Sequence, residues 1–98
     1  MAKYIALHTL RKSPEEVTKA FGDLSPAFAK VNASGEAPAK CIKTWNAVPH
    51  GRDYVFCLWE AEQPKDIEQA LGKFLDYLTA DCLRVDEIDW AEYAASLG

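Results

Sequence analysis

Twice along this chain a proline stands at the start of a helix-period apolar stripe, and each stripe lies between two stretches with strand character. That repeat, roughly fifty residues long, constrains the fold more than any other feature. The first copy begins at Ser13-Pro14-Glu15-Glu16. Ser13 can cap a helix, Pro14 needs no amide donor at the first helical position, and Glu16 stands where it can return the capping bond. Val17, Phe21, Leu24, Phe28 and Val31 then recur at intervals of four and three, which is one face of a helix. The second copy begins at Gln63-Pro64-Lys65-Asp66, with Asp66 favourable in the first turn. Its stripe is Ile67, Leu71, Phe74 and Leu78, supported by Ala70 and Leu75. Gly22 and Ser25-Pro26 interrupt the first stripe. Either the helix kinks at Pro26 or Ser25 caps a second segment. The stripe keeps its phase across the break, so both pieces face one core.

The flanking stretches read as four strands, over residues 4–10, 40–47, 54–61 and 81–88. In the first, Ile5, Leu7 and Thr9 share one face, and Tyr4, Ala6, His8 and Leu10 the other. Residues 34–38 form a loop, and Val48-Pro49-His50-Gly51-Arg52 is the turn of a hairpin. Asp89 caps a short terminal helix. The order is β-α-β-β-α-β, an α+β chain forming one domain over residues 1–98. Two interleaved strand-helix-strand units make the ferredoxin-like split arrangement. It predicts an antiparallel sheet in the order 4-1-3-2 with both helices on one face.

Composition narrows the function classes. Charged residues are 27% and the AVILMFWYC set 49%, an ordinary globular balance. No apolar run approaches the ~18 residues of a membrane helix, and Met1 to His8 lacks the features of a signal peptide. Cys41, Cys57 and Cys82 include no C-x-x-C pair, and an odd count fits reduced, structural thiols in a cytoplasmic protein. The net charge of −4, with Arg11-Lys12 as the sole basic cluster, argues against nucleic acid as a partner. A membrane partner is likewise not expected.

The third strand is apolar on both faces, with Val55, Cys57 and Trp59 on one and Tyr54, Phe56 and Leu58 on the other. Such strands are normally covered on both sides. Two helices cover one face, and a second copy of the sheet is the simplest cover for the other. A homodimer is therefore expected, with loops and the terminal segment folding over the sheet as the alternative.

Phe56-Cys57-Leu58-Trp59-Glu60-Ala61, set before a helix and after a strand containing Trp45, resembles the third-strand signature of small dimeric α/β-barrel families, one of which includes nickel-binding bacterial proteins. Val85-Asp86-Glu87-Ile88-Asp89-Trp90 is similar to the way such chains end. The resemblance spans nearly the whole chain in topology, but its motif is only residues 56–61. It implies a dimeric α/β barrel with a pocket above the open sheet face. The nickel-binding relatives carry a tryptophan closely followed by a histidine on strand two. Here Asn46 and Ala47 follow Trp45, and His50 falls in the turn, so their route to metal does not carry over.

Three residues are candidate ligand-binding groups: His8, Trp45 and Glu60. If strand three pairs with strand one, Glu60 falls beside His8, and a carboxylate can orient an imidazole. Either residue also serves as an ordinary structural hydrogen-bonding group, and Trp45 and Trp59 equally as core aromatics. No nucleophile elbow, phosphate loop or histidine pair with metal spacing is present. Two functions remain: a small-ligand or metal-ion binding protein, or a cofactor-free oxygenase or isomerase using His8 and Glu60 in proton transfer. The sequence names no cofactor.

Overall fold

The computed structural model describes residues 1–98. Four strands form one antiparallel sheet: β1 Ala2–Thr9, β2 Lys40–Asn46, β3 Tyr54–Ala61 and β4 Asp81–Val85, in the order β2-β3-β1-β4. The helices are α1 Pro14–Ser34, α2 Pro64–Leu71 and α3 Trp90–Leu97, with short 3₁₀ turns at Val48–His50 and Gly72–Asp76.

The caps follow the residues that announce them. Ser13 Oγ accepts from the Glu16 amide at 3.2 Å, and Asp89 accepts from Ala91 and Glu92 at 3.0 and 3.1 Å. α1 runs unbroken through Pro26. The carbonyl that Pro26 leaves without an amide partner belongs to Gly22, which is exposed and has no side chain, so water can solvate it. α2 is shorter than its stripe. It ends at Gly72, whose φ of 52° is a conformation that side-chain-bearing residues resist. Phe74 and Leu78 still reach the core, one from the 3₁₀ turn and one from beyond it. The fourth strand stops at Val85, short of the expected Ile88.

The period of two divides the sheet, with Leu58 as the exception on β3. Tyr4, Ala6 and His8 of β1 and Val55, Cys57, Trp59 and Ala61 of β3 are buried on one face. Both helical regions supply that face. Phe28 of α1 sits edge-on to Trp59, with ring centroids 6.1 Å apart, and edge-on to Phe74 at 5.5 Å. Val17, Ile67 and Leu71 complete the layer. Leu71 and Phe74 are buried as expected, whereas Phe21 and Phe28 are only half-buried. Those two rings form the wall of a cavity, which is why they keep some exposure.

No helix covers the other face, on which Leu58 alone is buried. Trp45, Tyr54, Phe56 and Leu83 are exposed there, around Ile5 and Leu7. α3 does not cover it either: it buries no residue, and Trp90, Tyr93 and Leu97 stand in solvent. The radius of gyration, 14.7 Å, exceeds the ~12.6 Å of a compact chain this long. No helix is long and apolar enough to cross a membrane.

Candidate functional site

The register corrects the expected pairing of His8 with Glu60. β1 and β3 align Lys3 with Glu60 and His8 with Val55. His8 therefore lies five positions from the residue facing Glu60, and an odd offset places the two on opposite faces. His8 turns inward with 1% of its surface exposed, while Glu60 lies on the open face between Lys3 and Lys40. Trp45 pairs with Phe56 on the open face and is 49% exposed. The three candidate residues are thus not brought together. Trp59, the other strand tryptophan, is wholly buried in the core. No three His, Cys, Asp or Glu side chains converge on a point that could hold a metal ion.

What His8 does face is a cavity of about 270 Å³ between the sheet and the helices. Phe21, Phe28, Leu71 and Phe74 form its helical wall. His8, Cys41, Cys57 and Trp59 form its floor on the sheet. Thr44 and Asn46, both exposed, mark the rim at the β2 edge.

The segment before β4 fixes the histidine. The Thr79 amide donates to Thr9 O at 2.9 Å, and the Thr9 amide donates to Thr79 Oγ1 at 2.9 Å. This clamp holds the Thr79 carbonyl 2.7 Å from His8 Nδ1. A carbonyl only accepts, so Nδ1 carries the proton and donates. In the neutral ring Nε2 is then a bare acceptor, and it has no partner in the chain although fully buried. Burial lowers the His8 pKa below its ordinary value, against a smaller raising effect of the Thr79 bond. The ring is neutral near pH 7, and the tautomer is the one the Thr79 carbonyl selects.

Trp59 supplies the complement. Its Nε1–H is also buried without a hydrogen-bond partner. The indole N–H lies near enough to Cys57 to favour a thiolate there, but not in hydrogen-bonding geometry. Two residues that line the cavity thus each carry a buried polar atom without a partner, an acceptor on His8 and a donor on Trp59. Unpaired buried polar atoms are rare because each costs about 1–3 kcal/mol.

A β-bulge builds the third part of the site. Pairing of β2 with β3 slips between Cys41 and Lys43, leaving Ile42 without an opposite residue. Without the slip, Cys41 and Thr44 would point to opposite faces. With it, Cys41 pairs with Trp59 and Thr44 with Cys57, so both point toward the helices. Asn32 of α1 pins the bulge: its side chain donates to Cys41 O at 2.9 Å and accepts from the Cys41 amide at 2.8 Å. None of this is visible in a residue pattern. The one signal in the sequence is the alternation of the third strand, which sets Cys57 and Trp59 on one face. No protein-family model matches the chain, and no match is found among the curated proteins or the solved structures compared with it.

Proposed function

We propose that this protein binds a small, largely apolar molecule in the cavity between its sheet and helices. The observation that carries the reading is that two cavity-lining residues each hold a buried polar atom without a partner, His8 Nε2 and Trp59 Nε1–H. A ligand needs a donor for His8 Nε2 or an acceptor for Trp59 Nε1–H, and a hydroxyl can serve as either. The ligand's bulk is apolar, because four aromatic or aliphatic side chains line the helical wall. Size supports one ring with a substituent or two: a protein cavity of about 150 Å³ holds benzene, and drug-sized pockets begin near ~300 Å³. The metal-ion alternative draws no support from a converging ligand set. Proton transfer by His8 with Glu60 is not retained, because the two lie on opposite faces.

The strand order supports reading the sheet as the ferredoxin-like split arrangement. The open face supports a homodimer of the α/β-barrel kind, as does α3 projecting with Trp90, Tyr93 and Leu97 exposed. A partner sheet with its own projecting helix offers cover for both surfaces. Three free thiols fit a reducing, cytoplasmic setting.

Titration with para-cresol, read by thermal shift and calorimetry, tests the ligand reading. Wild-type protein binds it saturably, and His8→Phe or Trp59→Phe loses at least about tenfold in affinity, the scale of one hydrogen bond left unmade. Equal affinity in wild type and both variants, or no saturable binding by wild type, contradicts the reading.

A further inference from the structure

Two thiols in the cavity floor have no part in that binding. Thr44 Oγ1 lies 3.3 Å from Cys57 Sγ and 3.6 Å from Cys41 Sγ, so one hydroxyl touches both sulfurs. They sit on adjacent strands, are not joined in a disulfide, and are buried apart from the cavity they line. The arrangement is built by the bulge at Ile42 and the Asn32 clamp, since regular alternation separates Cys41 from Thr44. The surroundings also divide the two roles. The neighbouring Cys57 thiol and the Thr44 hydroxyl lower the Cys41 pKa to about 7 against the opposing effect of burial. The neighbouring Cys41, together with burial, pushes Cys57 up. Of the two, Cys41 is the one whose thiolate its neighbours favour, and thiolate is the nucleophilic form.

We propose that Cys41 and Cys57 are a dithiol pair that reduces an organic hydroperoxide held in the cavity, Cys41 attacking and Cys57 resolving. The inference rests on the cavity reading for the organic part of the substrate. A hydroperoxide carries the donor and acceptor oxygens that His8 Nε2 and Trp59 Nε1–H lack, on an apolar body that suits the Phe21, Phe28 and Phe74 wall. The Cys41 thiolate attacks the terminal oxygen. The S–O bond forms, the O–O bond breaks, and the leaving alkoxide takes up the proton that Cys41 gave up, leaving Cys41 sulfenic acid and an alcohol. The Cys57 sulfur then attacks the Cys41 sulfur. The S–S bond forms, and hydroxide leaves with the Cys57 proton as water. Two electrons pass from the two thiols to the peroxide, and an external dithiol returns them by exchange. Cys82, on β4 and outside the cavity, takes no part.

The test uses the full chain carrying Cys82→Ser, treated with one equivalent of cumene hydroperoxide and mapped by tryptic peptides. The expected product is a single Cys41–Cys57 disulfide, formed at least about tenfold faster than free cysteine is oxidised at the same pH. With Cys57→Ser added, oxidation stops at Cys41, where dimedone traps the sulfenic acid. Both thiols remaining reduced, or dimedone trapping Cys57 in a Cys41→Ser protein faster than Cys41 in the converse variant, overturns the proposal. Para-cresol binding by the Cys41→Ser/Cys57→Ser protein reads the cavity without its thiols. Cresol binding there beside inert wild-type thiols overturns the dithiol chemistry alone.

Discussion

The two faces of the sheet are built from the same four strands and have opposite characters. The helix-covered face is buried and aromatic, yet polar atoms there lack partners within the chain: His8 Nε2 and Trp59 Nε1. The open face is wet, yet Trp45, Tyr54, Phe56 and Leu83 make it apolar. Each face departs from what its solvent environment favours. A buried polar atom without a partner and an exposed apolar surface are opposite departures, one a lack of polar contacts and the other of apolar cover. The two departures lie back to back, separated by the thickness of one sheet.

The contrast breaks first through the covered face. Phe74→Ala removes the ring that meets both Phe21 and Phe28, at 5.4 and 5.5 Å, and should destabilise the fold by about 3–5 kcal/mol in denaturant melts. A loss under about 1 kcal/mol would mean that the aromatic wall is not part of the core. On the open face, Phe56→Lys should leave the fold cooperative but weaken self-association by about 2 kcal/mol, roughly thirtyfold, in sedimentation equilibrium. Asn32→Ala should cost about 1–2 kcal/mol, because it strips two hydrogen bonds from the edge strand at Cys41. It should also slow Cys41 alkylation relative to wild type, which distinguishes lost positioning from general weakening.

The smallest effect is one of pH. His8 has its pKa lowered in the folded state, so below the ordinary ~6.5 the unfolded chain binds a proton that the folded chain resists. Stability falls as pH drops from about 6.5 toward the folded value, and levels off once both states are protonated. His8→Phe should flatten that part of the stability profile. An unchanged slope between pH 6.5 and 5 would show that the ring is not held neutral by burial.

The elements were legible because their signals are local. Ser13, Pro14, Pro64 and Asp89 mark helix starts through chemistry acting within one turn. Strand alternation likewise placed His8 opposite Ile5 and Leu7. The site was not legible, because it depends on how strands slide past one another. Pairing His8 with Glu60 required a register that alternation alone cannot supply, and the observed alignment of Lys3 with Glu60 sends them to opposite faces. The bulge at Ile42 is a second such event: it turns Thr44 under Cys57, with no Gly or Pro to announce it. Gly72, which ends α2 early, was a visible signal, but the apolar stripe running through it to Leu78 masks the break.

The most direct test of the central claim is the indole N–H signal of Trp59 in a ¹H–¹⁵N spectrum recorded as para-cresol is added. The chain has three tryptophans, and they occupy three environments: Trp59 in the cavity floor, Trp45 on the open face and Trp90 on the projecting helix. Cavity binding predicts a saturable shift of the Trp59 signal while those of Trp45 and Trp90 stay in place. A Trp59 signal that does not move, or one outpaced by Trp45, would contradict it and place binding on the other side of the sheet.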